Sequence, residues 1–129
     1  MPVGSETILL VEDDAAIRDL ARRVLQMQGY IVLEARNGQE ALQAADFPAT
    51  VHLLLTDVVM PGESGAALAK QLALSRPGLK TLYMSGYTDN AIAHHGILDP
   101  GIAFLQKPFS PGELARQVRA VLDAAPSAD

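Results

Sequence analysis

The sequence predicts an α/β protein, a doubly wound parallel sheet of five strands with helices on both faces. Three observations carry that expectation. Apolar runs too short for a helix interior recur along the 129 residues, each stopped by glycine, proline or an acidic turn. Runs that are apolar at nearly every position suit strands buried on both faces of a parallel sheet. Stretches with helical spacing separate them, so strand and helix alternate five times, too regularly for the two to segregate. No internal repeat and no linker divides the chain. A single domain over 1–129 is expected, with its core at about 6–123 and a frayed tail at 124–129.

The first strand is Thr7–Val11, broken by the acidic trio Glu12-Asp13-Asp14. Asp14 is placed to cap the following helix, in which Ile17, Leu20, Ala21, Val24 and Leu25 recur at the spacing of one buried stripe. Gly29 closes that helix. Tyr30–Ala35 reads as the second strand, and Asn37-Gly38 leads into a short alanine-rich helix that stops before Pro48. The third strand, Val51–Thr56, is followed by Asp57 and then by the breaker Pro61-Gly62. Ser64-Gly65 opens a third helix with Leu68 and Leu72 inward. Leu79–Met84 is the fourth strand, ending at Ser85-Gly86, and a weakly striped fourth helix is expected between Thr88 and Gly96. Ile102–Leu105 forms the fifth strand. The last helix carries a capping box, Ser110 with Glu113, has Pro111 at its first position and turns Leu114, Val118, Val121 and Leu122 inward.

Composition removes several classes of function. The net charge of −5 offers no basic stripe for nucleic acid, and the absence of cysteine excludes disulfides, thiol catalysis and cysteine-held zinc. The start carries neither a basic nor an apolar signal region, and no apolar run reaches spanning length, so a cytoplasmic address with no direct membrane contact is expected.

What remains is a set of polar residues at the carboxyl ends of the strands, where open parallel sheets bind their ligands. The first strand ends in Glu12 and Asp13, the third in Asp57, the fourth in Ser85 and the fifth in Lys107. The flavodoxin-like order 2-1-3-4-5 sets the first and third strands side by side, roughly 4.8 Å apart, so their end carboxylates can share one ion. Lys107 starts roughly 10 Å from Asp57, a gap two side chains can close. Three converging carboxylates repel one another, and an all-oxygen site with few protein ligands suits Mg²⁺, with Mn²⁺ as a substitute. A carboxylate beside such a cation, a lysine and a hydroxyl is equipment for phosphoryl transfer to Asp57. Gly86 leaves room above the acceptor.

Five signals in order resemble the response-regulator receiver domain of two-component signalling. They are Val11-Glu12-Asp13-Asp14, Asp57 with Met60-Pro61-Gly62, Gly65, Met84-Ser85-Gly86 and Lys107-Pro108-Phe109. The resemblance implies that Asp57 is the phosphoacceptor and that Asp13 binds Mg²⁺ directly. It further implies that Glu12 binds the ion largely through water and that the Val59 backbone carbonyl is a further ligand. Ser85, Gly86 and Lys107 would hold the phosphoryl group, and Ser85 and Phe104 would act as the switch. Lys107-Pro108 would be a cis peptide. The implied donor is a phosphohistidine on a sensor histidine kinase or phosphotransfer domain. The implied output is a changed face of the fourth helix, fifth strand and fifth helix, read by a downstream target. Such a domain catalyses its own phosphorylation and dephosphorylation and is not a conventional turnover enzyme. The wording of Ser85–Asp89 and Phe104–Phe109 looks most like receivers appended to hybrid histidine kinases.

Each of these residues has an ordinary role when taken singly: Asp13 and Asp14 as caps, Lys107 as a solvated loop lysine, His52 as a strand residue, and His94-His95 as a helix end. Their meeting at one sheet edge is what an ordinary reading leaves unexplained. Among rival functions, an aspartyl-phosphate phosphatase of the haloacid dehalogenase-like type needs a second Asp where this chain has Val59. A nucleotide-binding sheet needs a glycine-rich loop where this chain has acids. A degenerate receiver that only mediates contacts would have no use for the full set of acids, hydroxyl and lysine.

Overall fold

The computed structural model describes residues 4–45, 51–57, 59–60, 63–76, 78–85, 103–107 and 109–123. The expected helix between Thr88 and Gly96, His94-His95, Gly86, the Lys107-Pro108 peptide and the tail 124–129 lie outside the described residues, as do the side chains of Ser85 and Phe104.

In chain order the elements are β1 (Thr7–Val11), α1 (Ala15–Met27), β2 (Ile31–Ala35), α2 (Gly38–Ala45), β3 (Leu53–Asp57), β4 (Val59–Met60), β5 (Glu63–Ser64), α3 (Gly65–Ser75), β6 (Lys80–Ser85), β7 (Ala103–Gln106) and a C-terminal helix, Pro111–Asp123. Five strands form one parallel sheet in the order β2-β1-β3-β6-β7, which is the expected 2-1-3-4-5. β4 and β5 make a separate antiparallel ribbon, which the sequence pattern did not announce.

The central strands are apolar throughout because both of their faces are covered. Ile8, Leu10, Leu53, Leu55, Leu82 and Met84 face a core shared with α1 and the C-terminal helix. Their neighbours Leu9, Val11 and Leu54 face the opposite core with Ala41 of α2 and Leu68 and Leu72 of α3. A side-chain period of two therefore sends alternate residues of one apolar run into different cores. β2 and β7 are the edge strands, and Ile31 of β2 is exposed.

One sequence expectation is refined. Leu20 was placed in the buried stripe of α1 but is 42% exposed. Ala21, Val24 and Leu25 define the buried centre, and Leu20 lies about a quarter-turn to its side at 3.6 residues per turn. His52 does have a structural role: its Nδ1 accepts the Thr7 N–H at 3.0 Å, tying the start of β1 to the start of β3.

The α1 boundaries follow from their caps. Asp14 accepts the N–H groups of Ala16 and Ile17 at 2.9 and 3.1 Å. At the other end Gly29 takes a φ of +96°, a conformation open to glycine without strain. Its N–H reaches Gln26 O at 3.0 Å while the Tyr30 N–H reaches Leu25 O at 3.2 Å, the paired bonds of a Schellman stop.

Candidate functional site

Register brings the site together. Asp57, the last residue of β3, pairs with Met84, and Val11 pairs with Thr56, so Glu12 emerges from β1 at the level of Asp57. Ser85 and Gln106 pair one residue further along the same edge, and Lys107 follows directly. The acids thus leave neighbouring strands, β1 and β3, and the lysine leaves β7, two places beyond β3, at the same rim.

Glu12 is fully buried and Asp57 is 3% exposed, whereas Asp13 faces solvent. Ligand atoms of Glu12, Asp13 and Asp57 lie within 4.8 Å of one another, close enough to hold one metal ion. Lys107 closes the cluster: its Nζ donates to Glu12 Oε1 and Oε2 at 3.0 and 3.3 Å and forms an ion pair with Asp57 Oδ1. Burying carboxylates without such a partner would cost several kcal/mol per ion. One ammonium against three carboxylates still leaves two negative charges, which matches a divalent cation. The donors are all oxygen, so a hard ion fits this set.

The supporting backbone is held closely. The Glu12 N–H donates to Ala35 O at 3.1 Å, and Arg18 Nη1 donates to Glu12 O at 2.8 Å. The Thr56 hydroxyl donates to Asp57 O at 3.1 Å. Gly65, at the start of α3, lies against that same Asp57 carbonyl, where an added Cβ would collide with the oxygen and come within 3.1 Å of Thr56 Cγ2.

Glu12, Asp13, Asp57 and Lys107 are therefore brought together as the sequence suggests. Ser85 ends β6 at the same rim, Val59 lies in β4 two residues past Asp57, and Phe104 lies in β7 opposite Tyr83. Sequence reasoning missed that Lys107 also binds Glu12, that Glu12 is buried, and that Arg18 grips the loop of acids. The only available signal for Arg18 was an arginine one helical turn after an acidic turn.

A family model described as response regulator receiver domain matches residues 8–119. Among curated proteins, the sensor kinase CckA of Brucella abortus (strain 2308) is 40% identical over 121 residues, which is 93% of this chain and 13% of that protein. The phosphate regulon transcriptional regulatory protein PhoB of Pseudomonas aeruginosa is 37% identical over 121 residues, 91% of this chain and 52% of that one. This chain thus spans about half, or much less, of the curated relatives it matches. Among solved structures, the receiver domain of hybrid histidine kinase CckA superposes with a TM-score of 0.75 at 37% identity, covering 91% of this chain and 99% of that one. A CheY-like receiver domain protein from Methanospirillum hungatei JF-1 superposes with a TM-score of 0.76 at 29% identity, covering 93% and 95%. Agreement that runs from the first strand into the last helix places this chain in the response regulator receiver domain family of two-component signalling.

Proposed function

We propose that Asp57 accepts a phosphoryl group from a phosphohistidine on a sensor histidine kinase or phosphotransfer domain, in a Mg²⁺-dependent reaction. The observation that carries this reading is Lys107 Nζ reaching Glu12 and Asp57 at once, with Asp13 inside the same 4.8 Å cluster. Glu12, Asp13 and Asp57, with the Val59 carbonyl, would hold the cation. When bound, Mg²⁺ supplies charge neutralisation for the acids and for the transferring oxygens.

The chain's own residues do the rest. An Asp57 oxygen attacks phosphorus as the P–N bond to the donor imidazole breaks, and the imidazole keeps the bonding pair and takes up a proton. β3, hydrogen-bonded on both sides, fixes the position of the nucleophile. Lys107, already partnered with Asp57, moves its charge onto the phosphoryl oxygens. Ser85 and Gly86 would bond and admit the group. Ser85 and Phe104 would then relay its presence to the face of the expected fourth helix, β7 (the fifth strand of the parallel sheet) and the C-terminal helix.

One domain over 1–129, with a core at about 6–123, suffices for this role. Its likeness to the CckA sensor kinase supports a donor and a setting of the hybrid-kinase kind, and a cytoplasmic address is part of this reading. Among the described residues no helix is long and apolar enough to cross a membrane. The test is incubation with a small phosphodonor and Mg²⁺, followed by intact-mass measurement. One added phosphoryl group is expected, absent in Asp57→Asn and absent with excess chelator. A wild-type protein that stays unlabelled, or an Asp57→Asn protein that labels equally, overturns the proposal.

A further inference from the structure

Arg18 sits on the first turn of α1, and its side chain is only 17% exposed. Its Nη1 donates to the carbonyl of Glu12 at 2.8 Å, while its Nε lies 3.7 Å from Glu34 Oε1 on β2. Arg22 Nε approaches the same Glu34 oxygen at 3.4 Å, so the anchor on β2 is itself held. That carbonyl belongs to the Glu12–Asp13 peptide, from whose two ends the adjacent carboxylates of the cluster depart. With the Glu12 N–H on Ala35 O and Asp14 capping Ala16 and Ile17, the arginine completes the fixation of this loop.

We propose that Arg18 is a positioning residue for the acidic cluster: by gripping the Glu12–Asp13 peptide from Glu34, it sets where both carboxylates stand relative to Asp57 and so sets divalent-cation affinity. The inference rests on the metal reading of that cluster given above. Charge and position pull in opposite directions here. A guanidinium beside an acidic loop repels an incoming cation, so if Arg18 acted by charge alone, its removal would tighten binding. If it acts by holding the peptide, its removal loosens binding, because ligands lose their preorganisation when an outer support is lost.

The experiment is calorimetric titration of Mg²⁺, and separately Mn²⁺, into the unphosphorylated chain as wild type, Arg18→Met, Arg18→Lys and Glu34→Gln, with melting curves in chelator alongside. Arg18→Met is expected to weaken binding about tenfold, the lower end for loss of an outer support. Arg18→Lys should recover part of the loss, since an ammonium still donates to the carbonyl but does not fork to Glu34. Glu34→Gln should lose less than Arg18→Met. Equal or tighter binding by Arg18→Met overturns the proposal. If that variant does not fold, wild-type affinity in both Arg18→Lys and Glu34→Gln overturns it instead. Wild-type protein that binds neither cation sinks the metal reading itself, a result distinct from tight wild-type binding that Arg18 does not affect.

Discussion

Lys107 shows how one side chain stabilises the resting site and is available to the reacting one. Its Nζ partners two buried carboxylates from different strands, and its own side chain is 18% exposed. Removing one partner of a buried charge pair costs about 3–5 kcal/mol, because the other charge is left uncompensated. Lys107→Met is therefore expected to lower stability by about 2–4 kcal/mol in chelator, the solvent-facing mouth of the site softening the penalty. Mg²⁺ should restore more stability to this variant than to wild type, since the cation then supplies the missing positive charge. Urea unfolding of both proteins, with and without Mg²⁺, checks this. An equal Mg²⁺ increment in the two would show that the ammonium and the cation do not answer the same charge.

Elements bring such residues together, and they differ in how much of themselves the sequence discloses. β1 and β3 were legible because burial on both faces demands unbroken apolar runs, and Asp57 stood out as the polar residue ending one of them. The capping box of the C-terminal helix was legible for the same local reason, and it forms: Glu113 N–H to Ser110 Oγ at 3.1 Å, and Ser110 N–H back to Glu113 Oε1 at 3.2 Å. The β4–β5 ribbon was hidden, since two-residue strands carry no periodicity. The exposure of Leu20 was hidden too, because the edge of a helical stripe is decided by what packs beside it. Gly65 was visible as a helix-opening glycine, but its cause is a tertiary approach to the Asp57 carbonyl. A methyl group there has no free space, so Gly65→Ala must push α3 away from β3 or shift the acceptor strand. A destabilisation of about 1–3 kcal/mol is expected, the range for overpacking a filled interior, with slower phosphorylation of Asp57 from a small donor. A variant as stable and as quickly phosphorylated as wild type would mean that the junction yields without cost.

At the scale of the whole molecule, the chain's beginning is fastened to its last helix at the end of the sheet remote from Asp57. Arg119 donates to Glu6 Oε2 at 2.6 Å and Oε1 at 3.2 Å, to Asp123 Oδ1 at 2.7 Å and to the Tyr30 hydroxyl at 3.3 Å. Glu6 precedes β1 and Arg119 lies near the C-terminus, so this contact spans 113 residues of sequence. No local pattern announces it; only the parallel order, which sets α1 and the C-terminal helix on one face, brings the two ends within reach. The guanidinium beside Glu6 holds its carboxyl down to about 2 from an ordinary 4.5. A carboxyl lowered by folding binds protons less readily in the native state than in the unfolded one. The stability it contributes is therefore complete above pH 4.5 and is lost as pH falls from there through 2. Because both partners are partly solvated, that contribution is about 1 kcal/mol. Glu6→Gln should thus be less stable than wild type by about that amount at pH 7, and the gap should close as pH is lowered through the same window. Phosphorylation of Asp57 at pH 7 should be unchanged, because the tether and the acidic rim lie at opposite ends of the strands. Denaturant unfolding of the two proteins at pH 7 and at pH 3 checks the sign: a gap that widens on acidification would mean that Glu6 is stabilised in its protonated form, contrary to its contact with Arg119.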